Sequence, residues 1–433
     1  MATKAADPVA LNERPTRVRY WVIFFAVTLA IFSYIDRVAL SRASSSIRVD
    51  LNLSKEQLGF VFWAFAFSYA IFEIPSGYLG DRWGARGVLL RIVLWWSLFT
   101  FLTGRAWSFG SLIVCQALFG MGEAGCFPNI TKSLSIWLPQ EEKVRAQGII
   151  WLFARWGGAF TPLLVVSLMK YISWRTAFAL FGVLGIVWAA AFYAWFRDDP
   201  NDSPGLNAAE RKLIASSREL AKHVKVPWRR LFSHKRVWLL CMQYFSLSFS
   251  WYFYITWLPT YMDERLKIDI TKSAWLNILP LFLGGLGSLL CGQTSKWVAR
   301  KLGGLDKQRR TMSICGFIGA SILIFTATFM HSPVPAMLAI GFASFCNDLA
   351  MPPSWGAAMD LGGRYAGTLA GAMNMTGNLG GSLAPLVIGL ILKYTNNNWD
   401  VPLYLAAAVY LTGAVMWMAL DPVTPLDLDA DPA

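Results

Sequence analysis

Between positions 20 and 420 the chain is a succession of apolar runs, most of them near the roughly 20 residues that an α-helix needs to cross the hydrocarbon core of a bilayer. Bounded by charged or turn-forming residues, they fall at 20–42, 56–79, 87–105, 109–136, 144–169 and 174–196. A second set lies at 236–261, 272–298, 310–330, 334–359, 366–394 and 400–420. In lipid the backbone must satisfy its own polar groups, so runs of this length predict helices. The expected fold is an all-α membrane protein with twelve transmembrane helices in two six-helix halves. With 55% hydrophobic and 15% charged residues in 433, the composition is that of a chain whose solvent is largely lipid.

A formal net charge of +13 would point to nucleic acid in a soluble protein. Here the basic residues gather instead in alternate connections: Arg14, Arg17 and Arg19, then Arg82 and Arg86, Lys143 and Arg145, the central linker, and Lys296 to Arg310. By the positive-inside rule that side is the cytoplasm and both termini lie on it, with no nucleic-acid partner implied. The resulting organisation is a cytoplasmic N-terminal segment at 1–19, a six-helix bundle at 20–196, a cytoplasmic linker at 197–235, a second bundle at 236–420 and a cytoplasmic tail at 421–433. Within the linker, 207–222 has the Ala, Glu, Arg, Lys and Leu content of a helix lying on the membrane surface. The acidic, proline-bearing tail is expected to be disordered. All six cysteines fall inside apolar runs and read as core residues, so neither a disulfide framework nor a metal site is implied. The three histidines lie in loops, and no zinc-protease motif or P-loop is present, which argues against an enzyme, a bound cofactor or an ATP-driven pump.

The most specific motif follows the second run: Gly77-Tyr-Leu-Gly80-Asp81-Arg82-Trp-Gly84-Ala-Arg86. It resembles the signature loop of the major facilitator superfamily. Gly77 and Gly80 permit close helix approach, and Asp81, with Arg82 and Arg86, is expected to latch one conformation until the halves rock apart. The corresponding loop of the second half has Lys296 where an acid would be expected.

Charge inside the apolar runs is the next signal, because a charged side chain at membrane depth costs roughly 2.5–3.5 kcal/mol on insertion scales. Tyr34-Ile-Asp36-Arg37 sets an acid beside a base in the first run, Glu123 lies in the glycine-rich Gly120-Met-Gly-Glu-Ala-Gly stretch ahead of Phe127 and Pro128, and Arg155 lies in the fifth. These residues, the loop at Gly77, and Asn374-Met-Thr-Gly-Asn378-Leu-Gly-Gly381 with Pro385 resemble the anion:cation symporter family, within the major facilitator superfamily, over nearly the whole chain. The resemblance implies uptake of a small organic anion, a sugar acid such as a hexonate, hexarate or hexuronate, by proton symport and alternating access. It assigns Asp36 and Glu123 to proton coupling, and Arg37 as partner either of the acid or of the substrate carboxylate. Burial disfavours the charged form of such an acid and a nearby arginine favours it, a balance that allows proton binding in one state and release in another. Where sugar-acid carriers have an arginine seven residues before this glutamate, the chain has Gln116, a neutral and weaker carboxylate contact.

Arg155 is the candidate replacement; the alternative is an arginine that pairs with Glu123 or Asp36 to neutralise buried charge. Further candidates for substrate contact are Tyr34, Tyr244, Ser248, Trp251, Tyr252, Asn347, Trp355, Asn374, Asn378 and Ser382, with Asn374 and Asn378 sharing a helical face. Interhelical hydrogen bonding is the alternative use of the polar ones. Asp348 is an extra acid, either protonatable or neutralised locally. The expectation is a monomer in the bilayer of a bacterial inner membrane, with H⁺ as coupling ion and Na⁺ also open. A proton-driven exporter of amphipathic compounds and a substrate sensor on a carrier fold are the competing readings. The buried acids and arginines favour an anion over a lipophilic cation, and the short linker and tail argue against a sensor.

Overall fold

The computed structural model describes residues 14–215, 226–267 and 274–427. The first half comprises α1 (Tyr20–Asp50), α2 (Lys55–Trp83), α3 (Ala85–Thr103), α4 (Phe109–Glu123), α5 (Cys126–Trp137), α6 (Gln140–Met169) and α7 (Trp174–Trp195). The linker contributes α8 (Ala208–Ala215) and α9 (Trp228–Ser233). The second half comprises α10 (Lys235–Thr256), α11 (Leu258–Glu264), α12 (Ala274–Leu302), α13 (Leu305–Ala327), α14 (Pro333–Leu349), α15 (Met351–Gly362), α16 (Ala366–Tyr394) and α17 (Asp400–Ala419). Every apolar run of the sequence is helical over most of its described residues. Ten stretches among the described residues are long and apolar enough to cross a membrane; α14 to α16 run together as one of them, and α10, rich in Tyr, Trp and Ser, is not among them. Both observations are consistent with twelve passes, six on each side of the linker.

Among the described residues three passes are divided, the seventh near its end between α10 and α11 and two others at equivalent places. The fourth pass divides into α4 and α5 where Gly125 takes φ +80°, a left-handed conformation in which a Cβ would meet that of Ser76 at 2.2 Å, so glycine is required. Glu123 is the last residue of α4. The fourth pass of the second half divides at Ala350 into α14 and α15, two residues after Asp348. Broken helices at membrane depth persist only where the freed backbone is buried in protein or lines a cavity.

The halves meet through α2 against α16 and α6 against α12. Glycines bring the backbones together: a Cβ on Gly77 would meet the Gly367 carbonyl at 2.3 Å, and one on Gly148 would meet the Ser288 carbonyl at 2.5 Å. The cross-half hydrogen bonds and ion pairs run from a central cavity to the face that carries the described chain ends, here called the terminal face. That face is closed. Lys143 of α6 pairs with Asp360 of α15 at 2.8 Å, and Arg309 of α13 joins the same carboxylate at 2.5 Å.

Linker and tail both pack. Glu210 of α8 is fully buried, accepts from Arg19 Nη1 at 2.7 Å and from the Thr16 hydroxyl, and so ties the linker to the start of α1. The expected surface helix at 207–222 is seen as α8, and its remainder from 216 lies outside the described residues. The expectation of a disordered tail is corrected for 421–427: Arg309 donates to the Pro422 carbonyl and Arg236 to the Thr424 carbonyl, each at 2.7 Å, while the Leu426 amide donates to the Leu361 carbonyl at 2.9 Å. Arginines needing acceptors capture this segment through its backbone. The six cysteines are free thiols.

Candidate functional site

A cavity between the halves is lined from the first by Tyr34, Arg37, Tyr69, Phe127, Trp151 and Arg155, and from the second by Tyr244, Leu247, Ser248, Trp251, Tyr252, Met351, Asn374 and Asn378. Nine of the thirteen residues expected to contact substrate are therefore brought together, while Ser382 is exposed and donates to the Leu379 carbonyl of its own helix. Trp355 stands behind, donating to the Tyr244 hydroxyl at 3.1 Å. Asn347 also stands behind, donating to Asp348 at 2.8 Å. Gln116 lies outside the lining, where its amide donates to the Thr103 hydroxyl at 3.0 Å.

Two arginine–carboxylate pairs dominate the electrostatics. Arg37 Nε donates to both oxygens of Glu123, at 2.9 and 3.1 Å, and Ser33 donates to Oε1 at 2.5 Å. The guanidinium lies 4.3 Å from the Tyr69 ring centroid, and its Nη2 is buried with no hydrogen-bond partner. Asp36 is buried beside this pair and has no side-chain hydrogen bond or ion pair among the described residues.

Arg155 forms the second pair, but not with the acids offered by the sequence. Rather than Glu123 or Asp36, it takes Asp348 across the halves in a two-pronged contact, Nε to Oδ2 at 2.7 Å and Nη2 to Oδ1 at 2.9 Å. The break after α14 sets Asp348 at that depth, and Asn347 beside it completes the carboxylate's contacts. Arg155 also lies 4.0 Å from the Trp251 ring centroid. The indole N–H groups of Trp151 and Trp251 are, like Arg37 Nη2, buried without partners. Three unsatisfied donors thus surround one cavity. A buried unpaired N–H is costly, and a ligand rich in acceptor oxygens would satisfy all three.

Several of these groups had no clear sequence signal. Tyr69, Phe127, Trp151, Leu247 and Met351 are apolar or aromatic residues in an apolar, aromatic chain. Glu73 did have one, being a carboxylate within the apolar Ala70-Ile-Phe-Glu-Ile-Pro75 stretch. It is fully buried and accepts from Asn374 at 2.6 Å.

The signature loop closes the terminal face. Asp81 sits at the N-terminus of α16, where it accepts from the Gly367 amide at 3.0 Å, the Thr368 amide at 2.6 Å and the Thr368 hydroxyl at 2.7 Å, with Lys132 of α5 at 3.0 Å. A carboxylate there is also favoured by the helix dipole. Lys132 bridges further to the Arg364 carbonyl at 2.5 Å. Arg82 donates to Tyr78 of its own helix, and Arg86 fastens α3 to the Tyr193 carbonyl of α7 at 2.6 Å. The Arg86 amide donates to Asp198, whose carboxyl is pushed above its ordinary range by burial. In the second half Lys296 approaches Glu141 and Glu142 in the first turn of α6, at 3.6 and 3.8 Å. The charges are exchanged relative to the first half: the acids stand in the first turn of α6 and the cation near the end of α12.

The profile of the Major Facilitator Superfamily matches residues 26–385, and the chain belongs to that superfamily of membrane transporters. A probable sulfoacetate transporter of Cupriavidus necator is 33% identical over 415 residues, covering 95% of this chain and 96% of the relative. The D-galactonate transporter of Escherichia coli O6:H1 is 28% identical, covering 94% and 96%, and the hexuronate transporter of Bacillus subtilis is 26% identical, covering 86% and 88%. Among solved structures, a proton:xylose symporter aligns with a TM-score of 0.73 at 13% identity, covering 94% of this chain and 97% of that one, a likeness of fold. Membership in a transporter family agrees with the expectation that the chain is not an enzyme.

Proposed function

We propose that the protein imports a small organic anion, a sugar acid, together with protons, alternating between the closed terminal face described here and its opposite. The carrying observation is the donor set of the cavity: Arg37 and Arg155 with the unpartnered Arg37 Nη2 and the indole N–H groups of Trp151 and Trp251. Carboxylate oxygens suit those donors, and Ser248, Asn374, Asn378 and the tyrosines suit hydroxyls. Asp36 and Glu123 take the proton-coupling role on this reading. Protonation of Glu123 weakens its hold on Arg37 and frees the guanidinium for the anion. The terminal face is assigned to the cytoplasm of a bacterial inner membrane by the basic connections that lie on it, and the working unit is a monomer.

The relative named for sulfoacetate favours a second reading of the substrate, a short molecule with an anionic group at each end. Arg37 and Arg155 would then each take one end. Uptake of labelled galactonate, glucuronate, glucarate and sulfoacetate into proteoliposomes, with and without an inward proton gradient, decides between them. Gradient-driven accumulation of one of these, lost in Glu123→Gln, is the expected result. Binding or exchange that ignores the gradient would overturn proton coupling.

A further inference from the structure

Along α2, Tyr69, Glu73, Gly77 and Asp81 follow at intervals of four residues and share one face. α16 meets that face with Asn374, Gly371 and Gly367, so closely that a Cβ on Gly371 would lie 2.8 Å from the Glu73 carbonyl. An acid stands at each end of this seam, and the two are treated differently. Asp81, at the terminal end, has Lys132 and three hydrogen-bond donors. Glu73, at the cavity end, has no ion pair among the described residues. Its Oε1 accepts from Asn374 Nδ2 at 2.6 Å, while its Oε2 is buried with no partner meeting hydrogen-bond geometry.

The groups around Glu73 supply no free cation. Arg37 of α1 is the nearest positive charge and is committed to Glu123 of α4. Tyr69 of α2, Cys126 of α5, the Gly125 amide and the neutral Asn374 of α16 complete the surroundings. A carboxylate held there without a counter-charge is costly, whereas a carboxylic acid keeps the Asn374 bond on one oxygen and carries a proton on the other, beside the Tyr69 hydroxyl. When α2 and α16 separate, water reaches the group and the ionised form is no longer penalised.

We propose that Glu73 is a proton-dependent clasp: protonated, it holds α2 to α16 through Asn374 and closes the terminal face; ionised, it favours their separation. The step is a single proton exchanged between the carboxylate and water, with no other bond made or broken. It rests on the alternating-access reading above and concerns the conformational balance rather than substrate contact. Glu73 is thus a positioning residue, distinct from the acids assigned to coupling.

The test uses the full chain in lipid without substrate, in a background lacking the native cysteines. Spin labels on the exposed Trp83 of the first half and Lys301 of the second report the closed-to-open ratio of the terminal face by electron paramagnetic resonance. One linked proton changes that ratio by up to about tenfold per pH unit, closure increasing as pH falls. In Glu73→Gln, which keeps an acceptor for Asn374 and cannot ionise, the slope of the logarithm of the ratio against pH is expected to fall by one proton, with the closed form favoured throughout. Glu73→Asp keeps the proton but shortens the reach; its slope is retained and its closed form weakened at every pH. Equal slopes in wild type and Glu73→Gln overturn the proposal, as does pH-independent closure of Glu73→Asp should the glutamine variant fail to fold. Failure of the transport reading appears separately, as no gradient-driven uptake by the wild type.

Discussion

Replacing Asp81 by asparagine keeps the shape of the side chain and removes its charge, so it tests the latch with little disturbance of packing. In the closed form Oδ1 faces Lys132 and the Gly367 amide, and Oδ2 faces the amide and hydroxyl of Thr368. Asparagine has one acceptor oxygen, so whichever way it turns, its NH₂ group points at donors on the other side. At least two charge-assisted hydrogen bonds are lost, each contributing about 1.5–3 kcal/mol. The loss falls on the closed form, because separation of the halves gives the side chain to water. Allowing for relaxation, a differential of about 3 kcal/mol shifts the closed-to-open ratio about 150-fold toward open. The spin-label pair at Trp83 and Lys301 reads this as a longer distance population in Asp81→Asn. A shift below about threefold would refute the claim that Asp81 holds the face closed.

The other parts of the structure make their own predictions. Gly77→Val places a side chain against the Gly367 carbonyl, which a Cβ would already approach to 2.3 Å; the same labels should show a face that no longer closes, and normal closure would count against the seam. Lys296→Glu sets like charges beside Glu141 and Glu142 and should lower the closed fraction, while adding Glu141→Lys, which leaves the Arg19–Glu142 pair in place, should raise it again; no recovery in the double variant would deny the exchanged-charge latch. Arg37→Lys keeps the charge and loses the planar fork, so equilibrium anion binding should weaken about tenfold or more; unchanged affinity would move the anion site elsewhere. Truncation after Leu420 removes the acceptors of Arg236 and one of the two that Arg309 holds, the Pro422 carbonyl, and should lower the melting temperature of the detergent-solubilised protein, a result that an unchanged melting curve would contradict.

The helices were legible because hydrophobic runs carry their own boundaries, and the latch loop because glycine and aspartate at fixed spacing are a local pattern. Asp36, Arg37, Glu123 and Arg155 were legible for a related reason, as charges within apolar runs. Which acid meets which arginine was not. Arg155 and Asp348 are 193 positions apart, and no local pattern orders such a pair. Glu73 carried the same signal as Glu123 but stands near the end of the apolar run at 56–79, where a charge reads as the approach of a loop. The docked tail left no trace at all, since its bonding groups are main-chain carbonyls that every residue possesses.

The two arginine–carboxylate pairs differ in a way that bears on coupling. Glu123 and Arg37 both belong to the first half, so the pair travels as a unit when the halves rock. Asp348 and Arg155 belong to opposite halves, and relative motion must strain or break their contact. In the closed form each arginine already has its carboxylate, and the cavity's arginines bring no surplus positive charge for an incoming anion. An anion entering this arrangement would leave an uncompensated buried charge, a situation costing about 3–5 kcal/mol when one partner of a buried pair is removed. Protonating one carboxylate cancels that excess and frees its arginine at the same moment. On the proposed reading, therefore, each negative charge on the substrate calls for at least one proton: a sugar monoacid for at least one, and a molecule with two anionic ends for at least two. On that same reading Glu123 is neutralised first, because its arginine lines the cavity with a buried Nη2 that has no partner and the pair lies within one half.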